Sequence, residues 1–515
     1  MPSASPPARR RWAVLAVLCL AVFVINVSTT IVNVALPTLV GELGASTRDL
    51  LWIVDAFNLA FAALVLAAGS LSDRFGRRRF LLGGLAVFAA ASLAGAWSES
   101  PAELTAWRAV AGIGAAVIFP VTLSIIANVF PDRVQRAKAI GIWGATTGVA
   151  VALGPIAGGW LLERFWWGSI LVFCAGVAAA AFLLTAALVP DSRDPSTPRL
   201  DAGGLVLSTL GLGALVRAII EAPGNGWSSA ATLVGFGVAA ACLTAFVLWE
   251  RRTPHPMLDV SLFANLRFTA ASGAVTLSFF ALFGFIFLIT QYFQFLKGYG
   301  PFETGVRLLP VALCVAFWSI AGARLAVAIG TKAVVAAGLL SLTAAYAWIS
   351  TVGTGTSYAE IAGQMILLGS GMGLTSAPAT EAIMGVVPAA KAGIGSAVND
   401  ATRELGGTLG VAVIGSVALS LYRDAFAGSG LPPAAAESVG AALNGAGRIG
   451  ASDPVLAARL GSVAREGFLD GLAAGCYVAA GVALAGAVLT VIFLPAQPGA
   501  VHVAPSLAVP AEAEA

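Results

Sequence analysis

Gly69-Ser-Leu-Ser-Asp-Arg-Phe-Gly-Arg-Arg-Arg79 is a basic loop wedged between two long apolar segments. Arg74, Arg77, Arg78 and Arg79 place four cations in it. Excess Lys and Arg in a short loop between spanning helices marks the cytoplasmic face, so this loop reads as inward. Asp73 follows the end of the preceding segment, where it can accept charge-assisted hydrogen bonds from the arginines or meet the N-terminus of a neighbouring helix. Gly69 and Gly76 permit a tight connection and close backbone approach.

The surrounding composition fits such a loop. Of 515 residues, 58% are hydrophobic and 11% charged, with a mean hydropathy of +0.89. So few charges cannot cover a water-exposed surface, and the chain reads as an all-α integral membrane protein with the lipid bilayer as its partner. The net charge of +3 is small and its basic residues sit in short loops, which excludes nucleic acid. Cys19, Cys174, Cys242, Cys314 and Cys476 lie far apart inside apolar segments, so neither a disulfide framework nor a metal spacing follows. Arg9, Arg10 and Arg11 precede an apolar run from Trp12 to Pro37. That run exceeds the ~7–15-residue core of a signal peptide and reads as a retained first helix.

A spanning helix needs ~20 mostly apolar residues. Fourteen segments qualify: 12–37, 50–72, 80–97, 104–130, 137–163, 168–189, 203–221, 230–249, 268–296, 305–329, 333–352, 358–387, 398–421 and 469–494. Alternating the loops puts Arg9 to Arg11, Arg74 to Arg79, Arg133, Arg136, Lys138, Arg193, Arg199, Arg251, Arg252, Arg267, Lys332 and Lys391 inside. The smaller outer set is Arg48, Arg164, Lys297, Arg307, Arg423, Arg448, Arg459 and Arg465. Both termini are therefore expected in the cytoplasm, residues 1–11 and 495–515 being tails and the latter disordered. The stretch 422–468, rich in Ala, Gly and Pro, is expected to be a mobile external loop.

The pattern Gly-x-Leu-x-Asp-Arg-x-Gly-Arg-Arg closely resembles the signature between the second and third helices of the major facilitator superfamily of secondary transporters. Aligning Gly76 with Gly330 puts Leu71 on Leu325 and Arg78 on Lys332, the trace of a repeat. Transporters built from two halves hold substrate between them near the bilayer midplane. The expected architecture is a six-helix bundle at 12–189, a linker region 190–267 carrying two extra helices, and a second six-helix bundle at 268–494. This resembles the fourteen-helix drug:proton antiporter subfamily, as does Thr30-Ile-Val-Asn-Val-Ala-Leu-Pro37. The resemblance implies a monomeric cell-membrane transporter that exports small lipophilic drugs or antibiotics by alternating access, driven by the proton gradient and without a cofactor. No Gly-Lys-Ser/Thr phosphate loop is present, so ATP-driven pumping is unsupported. A proton-coupled transporter of one metabolite would use the same fold. A membrane enzyme or sensor is the other class, and against it stand the absence of a metal-ligand cluster or nucleophile–base arrangement and a histidine complement of His255 and His502 alone.

Asp55 falls five residues into the second segment, after Trp52, on the order of 7 Å below the helix end at ~1.5 Å per residue. Asn58, at i+3, shares its face. Desolvation opposes the charged form of a carboxyl group, so Asp55 can hold either a proton or a cationic substrate. Arg108, in Arg108-Ala-Val-Ala-Gly-Ile-Gly114, must face the protein interior, because a charge in hydrocarbon costs several kcal/mol unless paired or hydrated. The resemblance assigns Arg108 to proton transfer beside Asp55, although the usual glutamine three residues later is Ala111; a structural ion pair with Asp55 is the alternative. Where the family commonly has Asp, two residues before Thr30, this chain has Ser28.

Gly144-x-x-x-Gly148 and Gly154-Pro155-x-x-Gly158-Gly159 resemble the motif of the superfamily's exchangers. Pro155 removes a backbone hydrogen bond and the glycines leave a flat face, so this helix can bend and pack against the other half. Gly112 and Gly114 read as close-packing positions. Asn33, Asn58, Gln291, Tyr292 and Gln294 are the candidate substrate contacts, Asn26 and Asn33 being equally suited to hydrogen bonds between helices. Phe279, Phe280, Phe283, Phe285 and Phe287 read as packing or lipid-facing, Glu381 as exposed, and Asp400, Arg403 and Glu404 as a network at a helix end.

Overall fold

The computed structural model describes residues 8–192, 201–254, 256–387 and 392–495. The fold is all-α among these. The helices are α1 (Ala8–Glu42), α2 (Thr47–Phe75), α3 (Arg77–Gly95), α4 (Pro101–Val129), α5 (Arg133–Arg164), α6 (Ser169–Leu188), α7 (Ala202–Asn225), α8 (Ala230–Glu250), α9 (Leu266–Gln291), α10 (Pro301–Arg307), α11 (Leu309–Ile329), α12 (Thr331–Ile349), α13 (Tyr358–Val386), α14 (Ala392–Phe426), α15 (Val439–Ile449) and α16 (Pro454–Phe493). Twelve helical stretches among the described residues are long and apolar enough to cross a membrane, which makes this a multi-pass membrane protein. The helices α2 and α13, each 29 residues long, lie outside that set.

Polar residues at the ends of the apolar runs start the helices. Ser46 and Asp49 form a reciprocal capping box on α2, with Ser46 N–H to Asp49 Oδ2 at 2.9 Å and Asp49 N–H to Ser46 Oγ at 3.2 Å. Ser100 before Pro101, Asp132 before α5 and Ser229 before α8 cap their helices by accepting the amide three residues on. Gly76 (φ 115°) joins α2 to α3, and Gly330 (φ 93°) joins α11 to α12. Only glycine adopts such φ without strain, and both positions make the same one-residue hinge, as the Gly76–Gly330 alignment anticipates.

Helices α1 to α6 pack on one another, chiefly α2 on α4, α1 on α5 and α3 on α4. Helices α9, α11 to α14 and α16 form a second set, chiefly α11 on α13, α14 on α9 and α12 on α13. The antiparallel pair α7–α8 touches both sets through α7, which packs on α2 and α14. Arg48 of α2 pairs with Glu221 of α7 at 3.2 Å, and Trp52 Nε1 reaches the same carboxylate at 3.4 Å. Trp227 Nε1 donates to Ser420 Oγ of α14 at 3.0 Å.

The basic loop is anchored to the end of α6 and the residues just after it. Arg78 donates to the Ala186 carbonyl, the Arg77 amide donates to the Ser192 carbonyl at 2.9 Å, and Arg79 Nε stands 4.0 Å from Asp191 Oδ2. Arg74 stacks on Phe75, and Gly69 lies against Pro120 of α4. The side chain of Asp73 lies outside the described set, as do the linker residues 193–200, His255, Lys391 and both tails, 1–7 and 496–515.

The stretch 422–468 is not the mobile loop expected. Helix α14 runs on to Phe426, α15 covers Val439–Ile449, and α16 begins at Pro454. Asp453 caps α16, accepting from the Leu456 amide at 2.9 Å, with Pro454 at the first helical position. Alanines supply helix propensity, and Leu460 and Ala464 supply a buried face. The segment between these helices is tied down as well: Tyr422 Oη donates to the Ala435 carbonyl (2.8 Å), Arg423 pairs with Glu437 (2.6 Å), and Arg459 donates to the Ser429 carbonyl (2.7 Å). Gly440 of α15 rests on Phe295, after α9, and on Val40 of α1. The segment is thus a lid fastened to the second set and seated on the first.

Candidate transport site

Helix α2 presents two opposite faces. Ile53, Phe57 and Ala60 recur at helical spacing toward α4, where Gly112 sits against the Phe57 carbonyl and the Ala60 methyl. Arg108 of α4 reaches this face. Its Nε donates to the Ile53 carbonyl at 3.3 Å, and its guanidinium covers the Phe57 ring at 4.3 Å. Arg108 Nη1 donates to Ser28 Oγ of α1 at 2.8 Å. The arginine is therefore held among α1, α2 and α4, 3% exposed.

The other face carries Leu51, Asp55 and Asn58, about half a helix turn away from Ile53 and Phe57 at ~100° per residue. Leu51 packs on Gly415 of α14, so this face looks toward the second set. Asp55 is 0% exposed, and neither of its carboxylate oxygens has a hydrogen-bond partner. Asn58 is likewise buried, with both amide atoms unpartnered. No hydrogen bond or ion pair joins Asp55 to Arg108; the two occupy opposite sides of α2. The ion pair between them, the alternative in the sequence reading, is not formed.

Asn33 donates to the Thr29 carbonyl at 3.0 Å and keeps an unpartnered, buried Oδ1. Gln291 donates to the Phe287 carbonyl at 3.0 Å and lines a small, mainly apolar pocket with Thr47, Gly415 and Tyr422. Thr47 lies one turn before Leu51 on the α2 face that carries Asp55. Tyr292 and Gln294 are placed differently. Tyr292 Oη donates to the Gly353 carbonyl at 2.8 Å, fastening the loop before α13. Gln294 Nε2 donates to the Val34 carbonyl of α1 at 2.9 Å, a bond from one set to the other.

The glycine motif of α5 divides between two neighbours. Gly154 and Gly158 press on Thr30 and Ile31 of α1, where an added Cβ would stand 2.1 Å from Thr30 Oγ1 and 2.6 Å from Ile31 Cγ1. Gly159 presses on Pro301 and Phe302, and the Pro155 carbonyl abuts Gly305 of α10. Gly144 and Gly148 have nothing within 4 Å of an added Cβ, so the flat-face packing expected of them is absent here. The contacts of Pro155 and Gly159 with the second set lie in the C-terminal half of α5. There Glu163 Oε1 accepts the Phe302 amide at 3.2 Å, capping α10 across the divide.

Arg403 donates to Thr380 Oγ1 (3.2 Å), which donates to Asn399 Oδ1 (3.1 Å), and it stacks on Phe279. This network ties α13, α14 and α9 together. Glu381 is exposed. Sequence reasoning missed Ser28 as the partner of Arg108, although it marked the position as a departure. It also missed Glu163 and Glu221, whose partners are remote in sequence.

Two packed sets of membrane-length helices, with buried, unpartnered polar groups on α1 and α2, fit the two-halved build of a transporter. The model of the Major Facilitator Superfamily matches residues 18–411, and the chain belongs to that superfamily as a secondary active transporter. It is 36% identical over 492 residues to the multidrug efflux pump LfrA of Mycolicibacterium smegmatis, covering 94% of this chain and 97% of that one. It is 30% identical over 501 residues to the tetracenomycin C resistance and export protein of Streptomyces glaucescens, covering 95% and 93%. The crystal structure of a bacterial homologue of the human lysosomal transporter Spinster, inward-facing and unoccupied, superposes with a TM-score of 0.65 at 17% identity, covering 96% of this chain and all of that one. That likeness speaks to fold alone.

Proposed function

We propose that this protein exports small lipophilic compounds from the cell in exchange for protons, with Asp55 as the group that takes either a proton or a cationic substrate. The observation that carries the reading is the Asp55 carboxylate, fully buried, without a protein partner and on the α2 face turned to α14. A buried carboxylate with no counter-ion is costly, so proton or substrate cation is its natural partner. The names of the relatives above, an efflux pump and an export protein, agree with outward transport.

In this reading the twelve apolar stretches together with α2 and α13 give fourteen spanning helices. The sets α1–α6 and α9–α16 are the two halves, with α7–α8 inserted between them. Both termini lie in the cytoplasm, the protein works as a monomer in the cell membrane, and the proton gradient is its energy source. The inward-open site binds substrate while Asp55 is ionised; the halves rock about the α5–α10 and α2–α14 contacts; protonation from outside displaces the substrate. Asn33, Asn58 and Gln291 orient the substrate. Arg108 acts indirectly, by locking α2 to α1 and α4 so that Asp55 keeps its face.

The test is uptake of a fluorescent lipophilic cation into inverted vesicles under an imposed pH gradient. Native protein is expected to accumulate it, and Asp55→Asn to abolish accumulation at unchanged expression. No accumulation by native protein would sink cation export and turn the search to neutral or anionic metabolites.

A further inference from the structure

Asp201 precedes α7 and Glu250 ends α8, so the antiparallel hairpin sets two carboxylates side by side at its base. They are 7% and 3% exposed. Each has one satisfied oxygen. Asp201 Oδ1 accepts from the Gly204 amide at 2.8 Å, capping α7, and from Trp249 Nε1 at 2.7 Å. Glu250 Oε2 accepts from the Leu258 amide at 3.1 Å. The remaining oxygens, Asp201 Oδ2 and Glu250 Oε1, are buried and have no donor.

These two orphan oxygens converge. A Cβ built on Gly204 would stand 2.4 Å from Glu250 Oε1 and 2.8 Å from Asp201 Oδ2, so one point lies within reach of both. Glycine at 204 is what lets them meet. Two ionised carboxylates facing each other away from water repel strongly, and neither can donate. A single proton changes this: the protonated oxygen donates, the other accepts, and the pair carries one negative charge instead of two.

We propose that Asp201 and Glu250 share one proton, forming a proton-operated clasp at the base of the α7–α8 hairpin. Among the described residues no other charge replaces that proton. On α7 the next charged residue is Arg217, four turns on. After α8, Arg251 and Arg252 are exposed, and Asp259 is engaged with Ser261. On α2 and α14, Arg48 and Arg423 meet α7 at Glu221 and Gly224, about 30 Å along the helix from Asp201 at ~1.5 Å per residue. A metal ion would find only these two acids, and no group of three ligating side chains exists among the described residues. The clasp is separate from Asp55 and stands or falls independently of the transport reading.

The test is thermal unfolding of the purified full chain in lipid nanodiscs across a pH series, for native protein, Asp201→Asn, Glu250→Gln and the double variant. With a shared proton, the folded state holds a proton that the unfolded chain releases, so native stability falls as pH rises. Either single amide supplies the missing N–H donor in place. Each is expected to match native stability at low pH and to lack the decline. The double variant turns two NH₂ groups on each other and is expected to melt below both singles. An infrared carboxylic-acid carbonyl band present in native protein and lost in each single variant would agree. Two results would overturn the proposal. In one, both singles stabilise at every pH and the double stabilises further, as two repelling carboxylates require. In the other, Ca²⁺ or Mg²⁺ raises the native melting temperature and each single variant removes that effect, as a cation site requires. Should one single variant fail to fold, the other carries the same comparison.

Discussion

Arg108 Nη1 donates to Ser28 Oγ at 2.8 Å, on the side of α2 away from Asp55. A buried arginine is thus satisfied by a hydroxyl, a carbonyl and an aromatic face, while the Asp55 carboxylate is left without a protein partner. Ser28→Ala is expected to strand a buried charged donor and to lower stability by about 1–3 kcal/mol. Thermal unfolding in detergent checks this, with Ser28→Thr expected to stay near native. An unchanged Ser28→Ala melting temperature would mean the hydrogen bond contributes nothing.

Asp55→Asn removes the titratable group and leaves the shape of the side chain. Gradient-driven transport is expected to fall to background while the melting temperature holds or rises, because an uncompensated buried charge has been removed. Retained gradient-driven transport would relocate the coupling group.

Along α5 the glycines should differ sharply. Gly159→Ala places a methyl 2.4 Å from the Pro301 carbonyl oxygen and forces α5 from α10. Gly148→Ala meets nothing within 4 Å. The first is expected to cut transport severely; the second is expected to keep it and to stabilise the helix by up to about 1 kcal/mol, the propensity difference between alanine and glycine. Vesicle transport and melting temperature of the two variants, compared side by side, decide it.

The lid should have to leave α1 during each cycle. Gly440 lies over Val40, an added Cβ standing 3.0 Å from Val40 Cγ1, which is within reach of a disulfide. In a background without native cysteines, Val40→Cys with Gly440→Cys is expected to cross-link under oxidation, stop transport, and recover it on reduction. Full activity of the cross-linked protein would show that the lid does not move from α1.

Much of this was legible in the chain itself. Hydrophobic runs of the right length, the basic loop 69–79 and the matching glycines at 76 and 330 are local features, and local features determine helices, their order and the hinges between them. The superfamily could be read from them because its motifs are short and contiguous. The 422–468 stretch was misread because its helices are amphipathic and alanine-rich; their apolar faces have meaning only once α1 and α14 lie beneath them. The partnership of Arg108 was also out of reach. Spacing puts Asp55 and Arg108 at comparable depth, but which faces of α2 and α4 meet is decided by the close approach of Gly112 to Phe57, a contact between residues 55 positions apart. The same holds for Asp201 and Glu250, whose orphan oxygens meet only when the hairpin closes over Gly204. Sequence determined which stretches are helical and apolar and in what order; tertiary packing decided which of their polar groups found partners and which did not.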